Sequence, residues 1–390
     1  MSFHIDVAYE NINKFGEELC GDKVEVINNG HDIVAVLADG LGSGVKANIL
    51  ATLTSKIIAT MLTQGSSIDE AVETITSTLP VCKERQIAYS TFTILKISYD
   101  GKGYIAEFDN PSALMIRNSE IVDLDRNIRQ INGKSIRECT FQVQENDFFV
   151  LLSDGVVHAG IGSTLNLGWQ FENVCQYVKQ TLKPEMSAKA FSKLLTSVCA
   201  NLYMGKPGDD STVVCVKVRK PVHACVLIGP PRDKAMDKSV IGKFASEDGL
   251  KVICGGTTSQ IYCRETGKKI CTSFNYFNPT IPPTAEIEGI DLVTEGVLTI
   301  GHVLELARKY ASSSSTIQDF LALDKQDGAS RLAKLLLEKC TSIHFIVGRA
   351  INPAHQNPDM PLNYNMKLRL VEELAELLRK CGKNVSLEYW

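Results

Sequence analysis

Apolar and polar positions alternate in two textures along this chain, and the clearest transition comes early. The run Asp32-Ile33-Val34-Ala35-Val36-Leu37 is apolar and β-branched, as a buried strand is. It meets Ala38-Asp39-Gly40-Leu41-Gly42-Ser43-Gly44 and then a helical period, so the stretch predicts strand, glycine-rich turn, helix. Ile49, Leu50, Leu53, Ile57 and Met61, with neighbouring Ile58 and Leu62, recur at helical spacing, and Gly65 stands where a C-cap belongs. Ser67-Ile68-Asp69-Glu70 predicts a capping box opening a second helix with Ile68, Ala71, Val72, Ile75 and Leu79 on one face, stopped near Pro80. Upstream, Asn28-Asn29-Gly30 is a hairpin signal.

From Thr91 the texture is β. Residues 92–99, 104–108, 114–117, 140–143 and 148–153 are rich in branched and aromatic side chains and are separated by turns such as Asp100-Gly101-Lys102-Gly103. Helical spacing returns across 168–203 with Trp169, Phe171, Val174, Val178, Phe191, Leu194, Leu195 and Val198. Helices between two batches of neighbouring strands argue for antiparallel sheets with helices packed outside. Beyond Arg219-Lys220-Pro221 the pattern alternates. Strands are expected at 224–228, 250–254 and 343–347, and helices near 233–245 and at 297–310, 329–340 and 367–380, which is α/β with a parallel sheet. The division expected is therefore 1–218 and 219–390, and 390 residues exceed what one core usually serves.

A formal net charge of −4 gives no electrostatic reason to bind nucleic acid or an anionic membrane. Twelve cysteines are scattered without a CxxC pair, mostly in apolar runs, so neither zinc nor a disulfide framework is indicated. No signal-peptide pattern opens the chain, and no uninterrupted apolar stretch reaches the ~18 residues a span needs, so a cytoplasmic protein is expected.

Candidate chemistry lies in acids at strand ends. Asp39 follows one apolar strand, Asp154 ends another in Phe148-Phe149-Val150-Leu151-Leu152-Ser153-Asp154-Gly155, Asp209 and Asp210 precede Ser211-Thr212-Val213-Val214, and Asp22 sits in Gly21-Asp22. A set of strand-end carboxylates with no nearby His or Cys partner is expected to make an all-oxygen site suited to Mg2+ or Mn2+ rather than zinc. Each taken alone is also an ordinary Asp-Gly turn or helix cap.

Taken in order, Gly21-Asp22, Ala38-Asp39-Gly40-Leu41-Gly42, Asn110-Pro111-Ser112-Ala113-Leu114, Leu152-Ser153-Asp154-Gly155 and Gly208-Asp209-Asp210-Ser211-Thr212 resemble the stage II sporulation protein E branch of the metal-dependent serine/threonine phosphatases of type 2C. The resemblance covers about residues 1–218. It implies an α+β four-layer α-β-β-α sandwich, with Asp22, Asp39, Asp154 and Asp209 gathered at one end. It further implies two ions bridged by Asp39, with Asp22 and the Gly40 carbonyl on one ion, Asp154 and Asp209 on the other, and a bridging hydroxide attacking a phosphoserine or phosphothreonine on a regulatory phosphoprotein. Asp210 either holds a third ion or caps a turn. Where many superfamily members carry a general-acid His, this chain has Leu41, and the phosphate-gripping basic residue near the first acid has no evident match. Ser43 and Lys46 are candidates to touch phosphate or a solvated helix start, and His158 is a candidate proton donor or a surface histidine.

In the second region, Val252-Ile253-Cys254-Gly255-Gly256-Thr257-Thr258-Ser259 runs a strand into Gly-Gly and hydroxyls. Such a turn suits a small anion or nucleotide, or simply an N-capped helix, and it matches neither GxGxxG nor the Walker pattern. This region is expected to regulate or dock. Two competing functions remain for the chain: a catalytically weak or silent binding module that keeps the fold, and a two-metal nuclease, which the acidic balance disfavours.

Overall fold

Burial on both faces of its strands decides the architecture of the first of two units, 1–220 and 221–390. The computed structural model describes residues 3–78, 90–272, 281–350 and 366–390. Leu79 and Pro80, expected to end the second helix, lie outside the described residues, as does the polar stretch 355–363.

The first unit opens with β1 (His4–Ile12), β2 (Asp22–Asn28), β3 (Asp32–Gly40), α1 (Gly44–Thr63) and α2 (Ile68–Thr78). Strands β4 (Ser90–Ser98), β5 (Lys102–Phe108), β6 (Leu114–Arg117), β7 (Glu120–Val122), β8 (Asn127–Ile131), β9 (Lys134–Gln142) and β10 (Phe148–Leu152) follow. The unit closes with α3 (Asp154–Val157), α4 (Phe171–Thr181), α5 (Ala188–Leu202) and β11 (Ser211–Arg219). One sheet has the order β1-β11-β10-β6-β7 and the other β2-β3-β4-β5-β9-β8, with antiparallel pairing throughout.

Period-2 geometry sends alternate side chains to opposite faces. Leu37, Leu95, Ile105, Phe149, Leu151, Val214 and Val216 fill the space between the sheets. Val34, Val36 and Ala38 point outward to Ala51, Ile58, Leu62, Val72 and Ile75 of α1 and α2. Val150, Leu152 and Cys215 meet Val174, Val178, Phe191 and Leu195 of α4 and α5 on the far side. These are the four layers, α-β-β-α.

The caps behave as the pattern predicts. Ser67 N donates to Glu70 Oε2 at 2.8 Å while Glu70 N donates to Ser67 Oγ at 3.2 Å. The buried stripe of α1, however, is Ala47, Leu50, Ala51, Thr54, Ile58 and Leu62; Ile49 and Leu53, expected inward, are exposed. Small residues let the helix lie close to β3, and this rotates the larger side chains out. Strands β7 and β8 escaped the sequence reading because they are short and β8 buries only Ile131, leaving no alternation to detect. By length and composition α1 would also pass as a membrane span, yet its inward face is committed to the sheet.

A buried ion network fixes the crossing from β5 to β6. Fully buried Glu107 accepts from Ala113 N at 2.7 Å and from Arg126 Nε at 3.0 Å, with Arg137 3.3 Å away.

The second unit contains β12 (His223–Ile228), α6 (Asp237–Ser246), β13 (Leu250–Cys254), α7 (Gly256–Thr266), β14 (Ile270–Thr272), β15 (Ala285–Ile287) and β16 (Leu292–Thr294). It continues with α8 (Val297–Ala311), α9 (Ile317–Leu321), α10 (Gly328–Lys334), β17 (Ser342–Val347), α11 (Met366–Lys380) and β18 (Asn384–Tyr389). Its sheet runs β14-β15-β16-β13-β12-β17-β18, and the five strands from β16 to β18 are parallel. Their order is that of a doubly wound sheet, 3-2-1-4-5 in order of appearance. The long helix expected at 329–340 is instead α10 followed by a π turn at Leu335–Lys339.

Removing the Glu107 carboxylate takes the ion-pair partner from the largely buried Arg126 and from Arg137. We expect Glu107→Leu to lower the unfolding free energy of this unit by about 3–5 kcal/mol. Urea denaturation followed by Trp169 fluorescence in a Trp390→Phe background reads it, and a change under about 1 kcal/mol would show that the network holds nothing together.

Candidate metal centre

Four stretches distant in sequence deliver acids to one end of the sandwich. The antiparallel pairing of β2 with β3 sets Asp22 directly opposite Asp39, and β4 sets Thr91 opposite Asp39 on the other side. The end of β10 delivers Asp154, and the turn into β11 delivers Asp209 and Asp210. Those two turns are tied together: Ser153 N donates to Thr212 O at 3.0 Å and Thr212 N to Ser153 Oγ at 2.8 Å. A Cβ at Gly155 would lie 1.9 Å from Asp210 O, so only glycine lets them close. Gly40, whose carbonyl is the backbone candidate, ends β3 with its N–H donated to Gly21 O at 3.2 Å.

The resulting electrostatics are unfavourable as they stand. Asp22 is 5% exposed, and neither carboxylate oxygen has a hydrogen-bond partner. Burial pushes its carboxyl well above the usual range, and Asp210 and Asp154 push it further. The hydroxyls of Thr212 and Ser153 ease that charge from nearby without reaching hydrogen-bond geometry with either oxygen. Burial likewise raises Asp39, followed by the charges of Asp22, Asp154 and Asp209. Asp209 is raised by burial and by Asp154. Asp210 accepts from Lys14 N at 3.0 Å through Oδ1 and leaves Oδ2 buried and unpaired. With one oxygen it braces a turn, one of the two roles left open for it.

Several neighbours were not legible in the sequence. Lys14 brings a positive charge that eases Asp209. Cys20 does lie beside Asp22 and Asp210, contrary to the expectation of no Cys nearby. Burial pushes its thiol up to about 12, so it stays protonated. His158 Nδ1 is 4.0 Å from Asp154 Oδ2. Ser43 Oγ donates to Glu17 Oε1 at 3.1 Å, so Ser43 is engaged at the start of α1, while Lys46 and Leu41 are exposed. Asn110 accepts from Thr91 Oγ1 at 2.5 Å and donates to Thr93 Oγ1 at 3.2 Å, bracing the strand beside Asp39. Tyr203 donates to Gly155 O at 2.8 Å and steadies the Asp154 turn.

Unpaired buried carboxylate oxygens without a compensating cation are costly, and this cluster holds them on Asp22 and Asp210. A hard divalent cation with all-oxygen ligation supplies the missing charge. Among the described residues no three acid, His or Cys side chains already converge as a metal site. A cavity of about 770 Å³ at the opposite end of the six-stranded sheet, lined by Leu62, Lys96, Tyr104 and Arg129 among others, contains none of them.

Residues 29–219 match the family model described as Stage II sporulation protein E. Stage II sporulation protein E of Bacillus subtilis (strain 168) is 22% identical over 224 residues, covering 56% of this chain and 26% of that protein. The chain thus spans about a quarter of the length of that curated relative. Two solved structures are among those that this chain resembles. The phosphatase domain of the cell fate determinant SpoIIE from Bacillus subtilis has a TM-score of 0.44 at 20% identity, covering 56% of this chain and 94% of that one. RsbX in complex with magnesium has a TM-score of 0.41 at 17% identity, covering 55% and 96%.

Because the Asp22, Asp39 and Asp209 carboxyls are held above their ordinary range, the folded chain keeps protons that the unfolded chain releases near pH 3.9. Stability of the metal-free protein is therefore lost as pH rises above about 4 towards the folded values. We expect its melting temperature to fall from about pH 6 to about pH 8, and Asp39→Asn to raise it at the upper end by relieving repulsion. A parent profile that is flat, or that rises with pH, would contradict the cluster's electrostatics.

Proposed function

We propose that the first unit, whose residues 29–219 match the family model described as Stage II sporulation protein E, hydrolyses phosphoserine or phosphothreonine on a protein, with Mn2+ or Mg2+ held by Asp22, Asp39, the Gly40 carbonyl, Asp154 and Asp209. The observation that carries this reading is the pair of buried, unpartnered oxygens of Asp22 opposite Asp39. A fold that spends stability on such a cluster needs a cation there to recover it.

When bound, divalent cations neutralise phosphoryl oxygens and make water acidic enough to be a nucleophile near neutral pH. The chain's own residues do the rest. Asp39, pinned between β2 and β4, sets the centre of the cluster. Asp154 and Asp209 face it from the tied turns of the other sheet, so the two sheets must be in register for the set to assemble. Lys14 adds a positive charge beside Asp209, where it can draw an anionic phosphoryl group in. Leu41 offers no proton, so His158 near Asp154 is the donor available to a leaving alkoxide. Asp154, with its side chain 47% exposed, stands at an open rim that admits a residue projecting from another protein.

The 221–390 unit is assigned a regulatory or docking role. A catalytically silent module remains the competing reading, favoured by the exposed Leu41 where a general acid could stand. We expect p-nitrophenyl phosphate hydrolysis that requires Mn2+ or Mg2+ and is lost with EDTA. Asp39→Asn and Asp154→Asn should each reduce it by at least about 100-fold while the fold survives. His158→Gln should lower turnover by about 10-fold or more and change its pH profile. Activity near the parental level in the Asp39 or Asp154 variant, with manganese in excess, would remove that residue from the ligand set.

A further inference from the structure

The glycine-rich turn after β13 has a counterpart that is invisible in sequence. At the carboxyl ends of the adjacent parallel strands β13 and β16, helices α7 and α8 both begin at a glycine, Gly255 and Gly296, without a side-chain cap. The two starts touch: Gly255 N donates to Thr294 O at 2.9 Å, and a Cβ at Gly296 would lie 3.6 Å from Gly255 Cα. Each helix carries a threonine in its third position, Thr258 (2% exposed) and Thr299 (0% exposed), and neither hydroxyl has a hydrogen-bond partner. Thr258 Oγ1 is aimed at the turn itself, 3.1 Å from where a Gly255 side chain would begin. One oxygen of Glu295, the residue just before Gly296, is also buried and unpaired: Oε2.

Unmade hydrogen bonds in buried places are rare and point to an absent partner. Two converging helix N-termini favour an anion, and tetrahedral phosphate can serve both with separate oxygens where a planar carboxylate serves one. Glu295 repels a bare anion but accepts from hydroxyl groups. A ligand satisfying both is a phosphate ester on a hydroxylated ring. The site lies at the carboxyl ends of the parallel strands, beside the switch point between β12 and β17 rather than on it. We propose that the second unit binds a phosphorylated sugar, free or as part of a nucleotide, where α7 and α8 begin side by side, with Thr258 and the helix-start N–H groups on the phosphate and Glu295 on the ring hydroxyls.

The test is isothermal titration calorimetry on the full chain in EDTA, so that the acid cluster of the first unit holds no cation. Ribose 5-phosphate, AMP and inorganic phosphate are the probes. We expect an ester to bind at least about 10-fold tighter than phosphate. AMP and ribose 5-phosphate of equal affinity would assign a sugar phosphate, and AMP tighter by about 10-fold would assign a nucleotide. The position where a Gly256 side chain would begin has nothing within 4 Å, so Gly256→Val adds bulk at the start of α7 without a clash. It and Thr258→Val should each weaken binding about 10-fold with unchanged melting temperature. Glu295→Gln should narrow the preference for ester over phosphate, and Asp39→Asn should leave binding unchanged. The proposal is overturned by no heat from any probe at millimolar concentration, by phosphate binding as tightly as the esters, by binding unaffected in the Gly256 and Thr258 variants, or by its loss in Asp39→Asn.

Discussion

Repulsion among carboxylates is the constraint to which the first unit answers. Asp22, Asp39, Asp154, Asp209 and Asp210 each arrive at the end of a strand or in a tight turn beside one, and the apolar layers behind them supply the energy that holds like charges together. Strand β11 is buried along its whole length and β10 at every position, so neither can retreat to let the acids separate. The glycine at 155 removes the side chain that would otherwise keep the turns apart. A stable fold with an unstable corner is the arrangement expected where a cation is to be held and exchanged.

How much of this could be read in advance follows from where periodicity exists. Asp39 and Asp154 stand out because each follows a run of apolar residues that can only be a buried strand, which fixes the direction of the acid. Lys14, Glu17 and Cys20 lie in the irregular connection between β1 and β2, where no pattern predicts which residue turns towards the cluster. The inward face of α1 was misjudged because apolar character alone favours Ile49 and Leu53, whereas the close approach to β3 selects Ala47, Ala51 and Ala59. In the second unit the strand and helix alternation was legible, but β14, β15 and β16 are three residues each, too short to show alternation. Strand order is not a local property, so the meeting of α7 with α8 had no signal in either stretch.

The two units solve the problem of placing polar groups in opposite ways. In the first, negative side chains crowd together and call for positive charge. In the second, helix starts present positive partial charge and unpaired hydroxyls, and call for an anion. Each leaves hydrogen-bonding capacity unused inside the protein, and in both the residues concerned sit at the ends of buried strands. Rigid scaffolds are suited to this, since the cost of a poorly satisfied group is spread over a well-packed layer.

One pairing has a consequence in time. Strand β1 opens the first unit and lies against β11, its last strand, with His4 opposite Arg219. The edge of the five-stranded sheet therefore cannot form on a ribosome until nearly the whole unit has left the exit tunnel. At roughly 5–20 residues per second, β1 waits about 10–40 s for its neighbour. Asp209 and Asp210 emerge just before that neighbour, so a truncated or stalled chain carries Asp22 and Asp39 without the turn that completes the set. Synthesis itself thus delays assembly of the centre until the unit is whole.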